Sequence, residues 1–156
     1  MLFRSESHAI LRYLAARHGT ARFWPDDPVA RAPFDGWMDW SQTSLQPDFL
    51  GGVFWGFFRT PEDKRNWPAI DAALGRCRLH FEQLDRLLEG RSFLLGEALS
   101  LADITAGTSL YRYFELEIER PQLANLARWY RTLSQRIAFR EHVMIPFEEL
   151  RGRLDY

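Results

Sequence analysis

A single cysteine, Cys77, rules out an internal disulfide and points to a reducing compartment. No apolar run approaches the roughly 20 residues that a membrane-spanning helix needs. The opening segment MLFRSESHAILRYLA lacks the small-residue cleavage site of a signal peptide and reads as an amphipathic helix. The expectation is a cytoplasmic protein with no membrane partner. Charge of one sign is also missing. The net charge is −1, which offers no field to attract nucleic acid or an anionic surface. Four histidines, His8, His18, His80 and His142, show no ligand spacing, and with one cysteine no metal site is expected. No nucleophile-elbow motif supports a Ser-His-Asp arrangement. Strand-type alternation and β-branched residues are scarce, so the pattern is helical almost throughout.

Aromatic residues are abundant. Phe, Trp and Tyr make up 15% of the chain, enough to furnish a pocket or an interface as well as a core. A first helix is predicted from about Ser5 or Glu6, with Ile10, Tyr13, Leu14 and Arg17 on one stripe and Gly19 as its stop. FWPDDP then reads as a turn-rich linker. The next helix begins after Pro28, with Phe34, Trp37, Met38, Ser41 and Leu45 on one face, and Pro47 is expected to kink or break it. After the Gly-aromatic stretch GGVFWGFF, two helix starts compete, Thr60-Pro61 and Trp67-Pro68. Ile70, Leu74, Cys77, Phe81, Leu84 and Leu88 form a long stripe ending at Gly90. Ser100-Leu101-Ala102-Asp103 is a Ser-x-x-acid capping box, predicted to open a helix that runs to about Glu115. Pro121 is expected to open another, with Leu126, Trp129, Tyr130, Leu133 and Ile137 inward, before a short helix near Phe139 to Val143 and a polar tail. The fold class is therefore all-α, a bundle of five to seven helices.

Glu6-Ser7-His8-Ala9-Ile10-Leu11-Arg12-Tyr13-Leu14 resembles the glutathione-binding motif of the glutathione transferase family. Trp24-Pro25, Arg31-Ala32 and Trp37-Met38-Asp39-Trp40 look like the opening of that family's helical domain. Phe93-Leu94-Leu95-Gly96-Glu97 followed by Ser100-Leu101-Ala102-Asp103-Ile104 is similar to its folding motif. Arg59-Thr60-Pro61 and Val143-Met144-Ile145-Pro146 resemble a bacterial, theta-like branch. The segments occur in the family's order across nearly the whole chain. The resemblance implies a glutathione-transferase C-terminal-like bundle over residues 28–156, a linker at 21–27, and residues 1–20 as the last helix of a thioredoxin-like domain. It also implies glutathione as co-substrate and a homodimer. The thiol-activating Ser, Tyr or Cys of the family lies in elements expected before Met1, so no catalytic residue is expected within this chain.

The chemistry of the resembling residues suits that expectation. Glu6 and Ser7 open a helix whose free N–H groups and dipole attract a carboxylate. A γ-glutamyl end offers a carboxylate and an ammonium side by side, matching the Ser7 hydroxyl and the Glu6 carboxylate. The competing reading is an ordinary helix cap. A small-molecule electrophile needs an apolar cleft with a few polar anchors. The candidates for it are Trp40 and Thr43, Trp55 and Phe58, and Tyr111 and Phe114, with Arg59 to hold a carboxylate. Ordinary packing is the alternative for each aromatic. Ser100 and Asp103 read as structural, and Cys77 as inert core. Three functions are consistent with these residues: a transferase joining glutathione to an electrophile, a non-catalytic helical binding or scaffolding module, and a same-fold glutathione-dependent reductase or isomerase.

Overall fold

The structure, a computed structural model, describes residues 7–155. The order of helices is α1 (Ser7–His18), α2 (Pro28–Trp40), α3 (Trp67–Leu87), α4 (Leu101–Gly107), α5 (Leu110–Glu115), α6 (Ala124–Ser134) and α7 (Ile137–His142). Apart from one bridge between Phe93 and Gly96, the described residues make no extended pairing. The chain is all-α.

Between α2 and α3 the helix does not break at Pro47. It continues as wide turns over Ser41–Leu45 and Pro47–Arg59. There the backbone bonds reach back five residues: Gln46 N–H donates to the Ser41 carbonyl and Thr60 N–H to the Trp55 carbonyl. A proline lacks the N–H of a normal turn, and its ring crowds the carbonyl four residues back. A wider turn carries Pro47 without interrupting the rod. The Gly-aromatic stretch is part of this rod.

Its glycines have a packing reason. The wide helix Pro47–Arg59 lies along α3 so closely that a Cβ on Gly52 would stand 2.5 Å from the Ala73 Cβ. A Cβ on Gly56 would reach the Ile70 side chain at 3.3 Å. The main core forms around this contact. Phe49, Val53, Phe54 and Phe58 from the wide helix meet Ala73, Cys77, Phe81, Leu84 and Leu88. Leu94, Ala102, Leu110, Tyr113, Trp129 and Leu133 close it from the other side.

The remaining helix ends are set by side chains. α3 starts at Trp67, with the Asn66 carboxamide oxygen accepting from Ala69 N–H at 3.2 Å, so the later of the two competing starts is the one used. Thr60 caps nothing; its hydroxyl donates to the Trp55 carbonyl instead. Gly90, with φ +68°, turns the chain after α3. The helix opened by Ser100 does not run unbroken to Glu115: it divides between α4 and α5 at Thr108 and Ser109. α6 begins at Ala124 rather than Pro121, where the Asp85 carboxylate accepts from Leu126 N–H at 2.8 Å. Ile137 is largely exposed and lies outside the α6 core face.

α1 turns the other way from its predicted stripe. It buries His8 and Ala15, with Leu11 beside them, against Met38 and Leu101. Arg12 clamps this arrangement through Asp35, at 2.8 Å, and Asp39. Ile10, Tyr13 and Leu14 face outward, each more than two-fifths exposed.

Gly52→Ala should therefore destabilise the fold. Ala73 Cβ cannot swing aside, so the two helices must separate. The expected loss is about 2 kcal/mol in urea unfolding, despite the better helix propensity of alanine. A variant as stable as the parent would show that this contact is not limiting.

Candidate functional site

The candidate site residues divide into separate neighbourhoods. Ser7 is exposed at the start of α1, and Glu6 lies outside the described residues. The seven residues considered for an electrophile pocket do not form one cleft. Phe58 and Tyr111 share a cavity of about 160 Å³ with Glu115, Pro146, Phe147 and Arg151. Trp40 stands elsewhere, edge-on to Trp37 and to His80, beside a depression of about 230 Å³ that also takes in Pro33, Gly36 and Gln83. Thr43 is exposed, and its hydroxyl donates to the Asp39 carbonyl. Phe114 stacks on Tyr130 and lines a third cavity, of about 300 Å³, with Arg120 and the start of α6.

Arg59, considered above as an anchor for a carboxylate, is buried and bonded within the protein. Its guanidinium lies 3.8 Å from the Trp55 ring centroid and donates to the carbonyls of Arg153 and Asp155 at 2.9 and 2.7 Å. Gly152 N–H adds a bond to the Phe58 carbonyl. The polar C-terminal segment is thus strapped across the end of the wide helix. Sequence reasoning had no means of pairing residues more than ninety positions apart.

Beside this strap is an aromatic cluster. Phe54 stacks on Phe58 with centroids 5.4 Å apart, and Phe147 meets both edge-on. Arg151 lies over Phe58 and pairs with Glu148, whose hydrogen bond from Arg151 holds that carboxyl below its ordinary range.

Cys77 supplies no thiolate. Burial and the nearby Asp48 charge push its thiol up to about 12. Tyr113, packed face-on against Phe81 at 3.8 Å, is likewise pushed up to about 12 by burial. Neither group loses a proton at neutral pH. Among the described residues no three His, Cys, Asp or Glu are placed to hold a metal ion. No described helix is long and apolar enough to cross a membrane.

The capping box is built into the core. The reciprocal box at α4 is present. Asp103, fully buried, accepts from Leu94 N–H and Trp129 Nε1 with one oxygen, and from the Ser100 N–H and hydroxyl with the other, at 2.7 to 3.1 Å. Burial outweighs these donors and leaves the carboxyl above its ordinary range. Both carboxylate oxygens are taken up by these bonds, and the pair holds α4, α6 and the turn before α4 together.

Residues 47–136 match the family described as glutathione S-transferase, C-terminal domain. The chain belongs to the glutathione S-transferase family. It is 38% identical over 141 residues to glutathione S-transferase GstB of Escherichia coli, a match covering 90% of this chain and 67% of that protein. It is also 38% identical to a theta class glutathione S-transferase of Xanthomonas axonopodis pv. citri, whose structure was solved with glutathione bound. There the TM-score is 0.83, and the match covers 90% of this chain and 73% of the other. A glutathione transferase of Populus trichocarpa, 20% identical with a TM-score of 0.73, shares the fold. By family this glutathione S-transferase chain is a bacterial, theta-like transferase.

A link near Trp40 carries a pH dependence. Burial acts to raise the pKa of Asp48, but hydrogen bonds from Arg76 at 2.7 Å and His80 at 2.9 Å, and their charges, outweigh it and hold it below its ordinary value of 3.8. A depressed carboxylate stabilises the fold above its unfolded pKa, and the gain is lost as pH falls through the folded value. Arg76 is about half exposed, which limits the gain to about 1 kcal/mol. Asp48→Asn should cost that much at pH 6, with the difference closing below about pH 4. A gap that widens in acid would contradict this.

Proposed function

We propose that this chain is the helical portion of a glutathione S-transferase that joins glutathione to a small electrophile. The glutathione sulfur forms a bond to an electrophilic carbon as the leaving group departs with its electron pair, and the thiol proton passes to solvent. Glu6 and Ser7 receive the γ-glutamyl end. The electrophile lies against Phe58 and Tyr111, with Trp40, Thr43, Trp55 and Phe114 outside its immediate wall, and Arg59 orders the segment that borders it. No thiol-activating residue is assigned within the chain.

The observation that carries this reading is α1. Arg12 fixes the helix to α2, yet Ile10, Tyr13 and Leu14 are left on an outward apolar face. Such a face is the kind that a further layer covers. A thioredoxin-like layer there would make residues 1–20 part of a glutathione-binding domain, 21–27 the linker and 28–156 the helical domain. A cytoplasmic homodimer acting without a metal cofactor belongs to the same reading.

A second reading is a helical binding module without catalysis. Probable elongation factor 1-gamma of Caenorhabditis elegans is 28% identical over 108 residues that make up 26% of its length. A stretch of similar sequence therefore occurs within a protein of a different name.

Isothermal titration of the full gene product with S-hexylglutathione separates the two. The transferase reading expects binding that weakens at least about tenfold in a Glu6→Ala, Ser7→Ala double variant, as lost charge-assisted bonds require. Unchanged affinity in that variant would remove Glu6 and Ser7 from the site. No binding by the parent would favour the module.

A further inference from the structure

We propose that the cavity between the linker and α7 is a binding site for an amphipathic carboxylate, with the hydrocarbon body against Leu133, Phe139 and Val143 and the carboxylate at Arg136. The proposal goes beyond the transferase reading. None of the residues assigned there to glutathione or to the electrophile lines this cavity.

At about 360 Å³ this cavity is larger than the three described above. Phe23 of the linker, Ile104 of α4, Leu133 of α6, and Phe139 and Val143 at α7 wall it. Close packing holds these walls. A Cβ on Gly107 would stand 2.7 Å from the Leu133 side chain and 4.0 Å from that of Phe139, so α4 comes up directly against α6 and α7. On the other side, Arg22 donates to the Leu99 carbonyl at 3.4 Å and ties the linker to the turn before α4. Phe23 and Ile104 also pack on the cluster of Ala15, Met38 and Leu101 beneath α1. The cavity is thus bounded by anchored elements and preformed, as small-molecule sites usually are.

The ionisable side chains on the wall decide the charge of the ligand. They are Asp103, Arg136 and His142. Asp103 is buried, and both its oxygens are taken by donors from Leu94, Ser100 and Trp129. Glu141, the acid of α7, is not on the wall. The wall therefore offers a cation and no free carboxylate. Arg136 is the N-cap residue of α7 and His142 its last residue, and both are exposed. A guanidinium stays charged throughout the accessible pH range. Among the described residues no ion pair or side-chain hydrogen bond engages that of Arg136. The neighbouring Arg140 adds a second positive charge, with its own guanidinium donating to the Ser134 and Gln135 carbonyls.

The ligand follows from this arrangement. A planar guanidinium fork matches a planar carboxylate through two parallel bonds. The side chains of Leu133, Phe139 and Val143 suit a hydrocarbon body, whose burial supplies most of the affinity. An apolar cavity of roughly 150 Å³ holds a benzene ring, so the larger volume here takes a body of about ten carbons, the size of two fused rings. An amphipathic carboxylate joins these features in one molecule.

Two probes of nearly equal shape, 2-naphthoate and neutral 2-naphthamide, separate the charge from the body. Each is titrated into the 156-residue chain and followed by NMR, with the methyl resonances of Ile104, Leu133 and Val143 as local reporters. Both probes should shift these methyls. The naphthoate should bind about fivefold more tightly at low salt, the advantage of an exposed charge pair, and the difference should shrink as salt is added. Arg136→Gln should bring the two affinities together and leave that of the amide unchanged. Ala138→Phe, which adds a ring to the cavity wall, should weaken both. Equal affinities in the parent, a preference that survives in Arg136→Gln, or shifts confined to other methyls would each overturn the proposal, and so would failure of both probes to bind. Should a variant not fold, the affinity ratio and the methyl shifts of the parent still decide. Glutathione takes no part in these titrations, so a negative result leaves the transferase reading standing.

Discussion

The structure depends on one buried carboxylate. Asp103 sits in the first turn of α4 and takes four donors from three separate parts of the chain: the turn at Leu94, the cap at Ser100 and the indole of Trp129 on α6. Each donor would be an unsatisfied polar group in the core without it, and each such group costs roughly 1–3 kcal/mol. One side chain thus starts a helix, fixes the turn before it and attaches α6. The carboxyl's raised pKa records the desolvation that those bonds must offset.

The second constraint is the close approach of the wide helix to α3. It uses Gly52 and Gly56 where other residues would hold the rods apart. That approach brings Phe49 onto Phe81 and Tyr113, and it sets Phe54 and Phe58 where α5 and the C-terminal segment meet them. The aromatic cluster and the cavity beside it follow from this packing. The site is thus a consequence of how two helices pack, and no local motif encodes it.

Local chemistry was legible in the sequence. The Ser100 box, the stop after α1 at Gly19, the turn at Gly90 and the α3 stripe all rest on side chains within a few residues of one another. What was not legible depends on distant partners. The stripe of Ile10, Tyr13 and Leu14 was real, but its spacing could not show that His8 and Ala15 face this bundle. Pro47 suggested a break because its local penalty is known, whereas the wide turn that absorbs it is sustained by packing on α3. The proposed pocket residues share helix faces in sequence, yet Trp40 and Phe114 end in other neighbourhoods because α2 and α5 present more than one face. Arg59 and the tail lie about ninety residues apart.

Equilibrium urea unfolding of Asp103→Ala at pH 7 tests the central dependence most directly. The account predicts a loss of about 3 kcal/mol or more, because several buried donors lose their acceptor together. A variant within about 1 kcal/mol of the parent, the size of an ordinary helix cap, would contradict it and reduce Asp103 to a local capping residue.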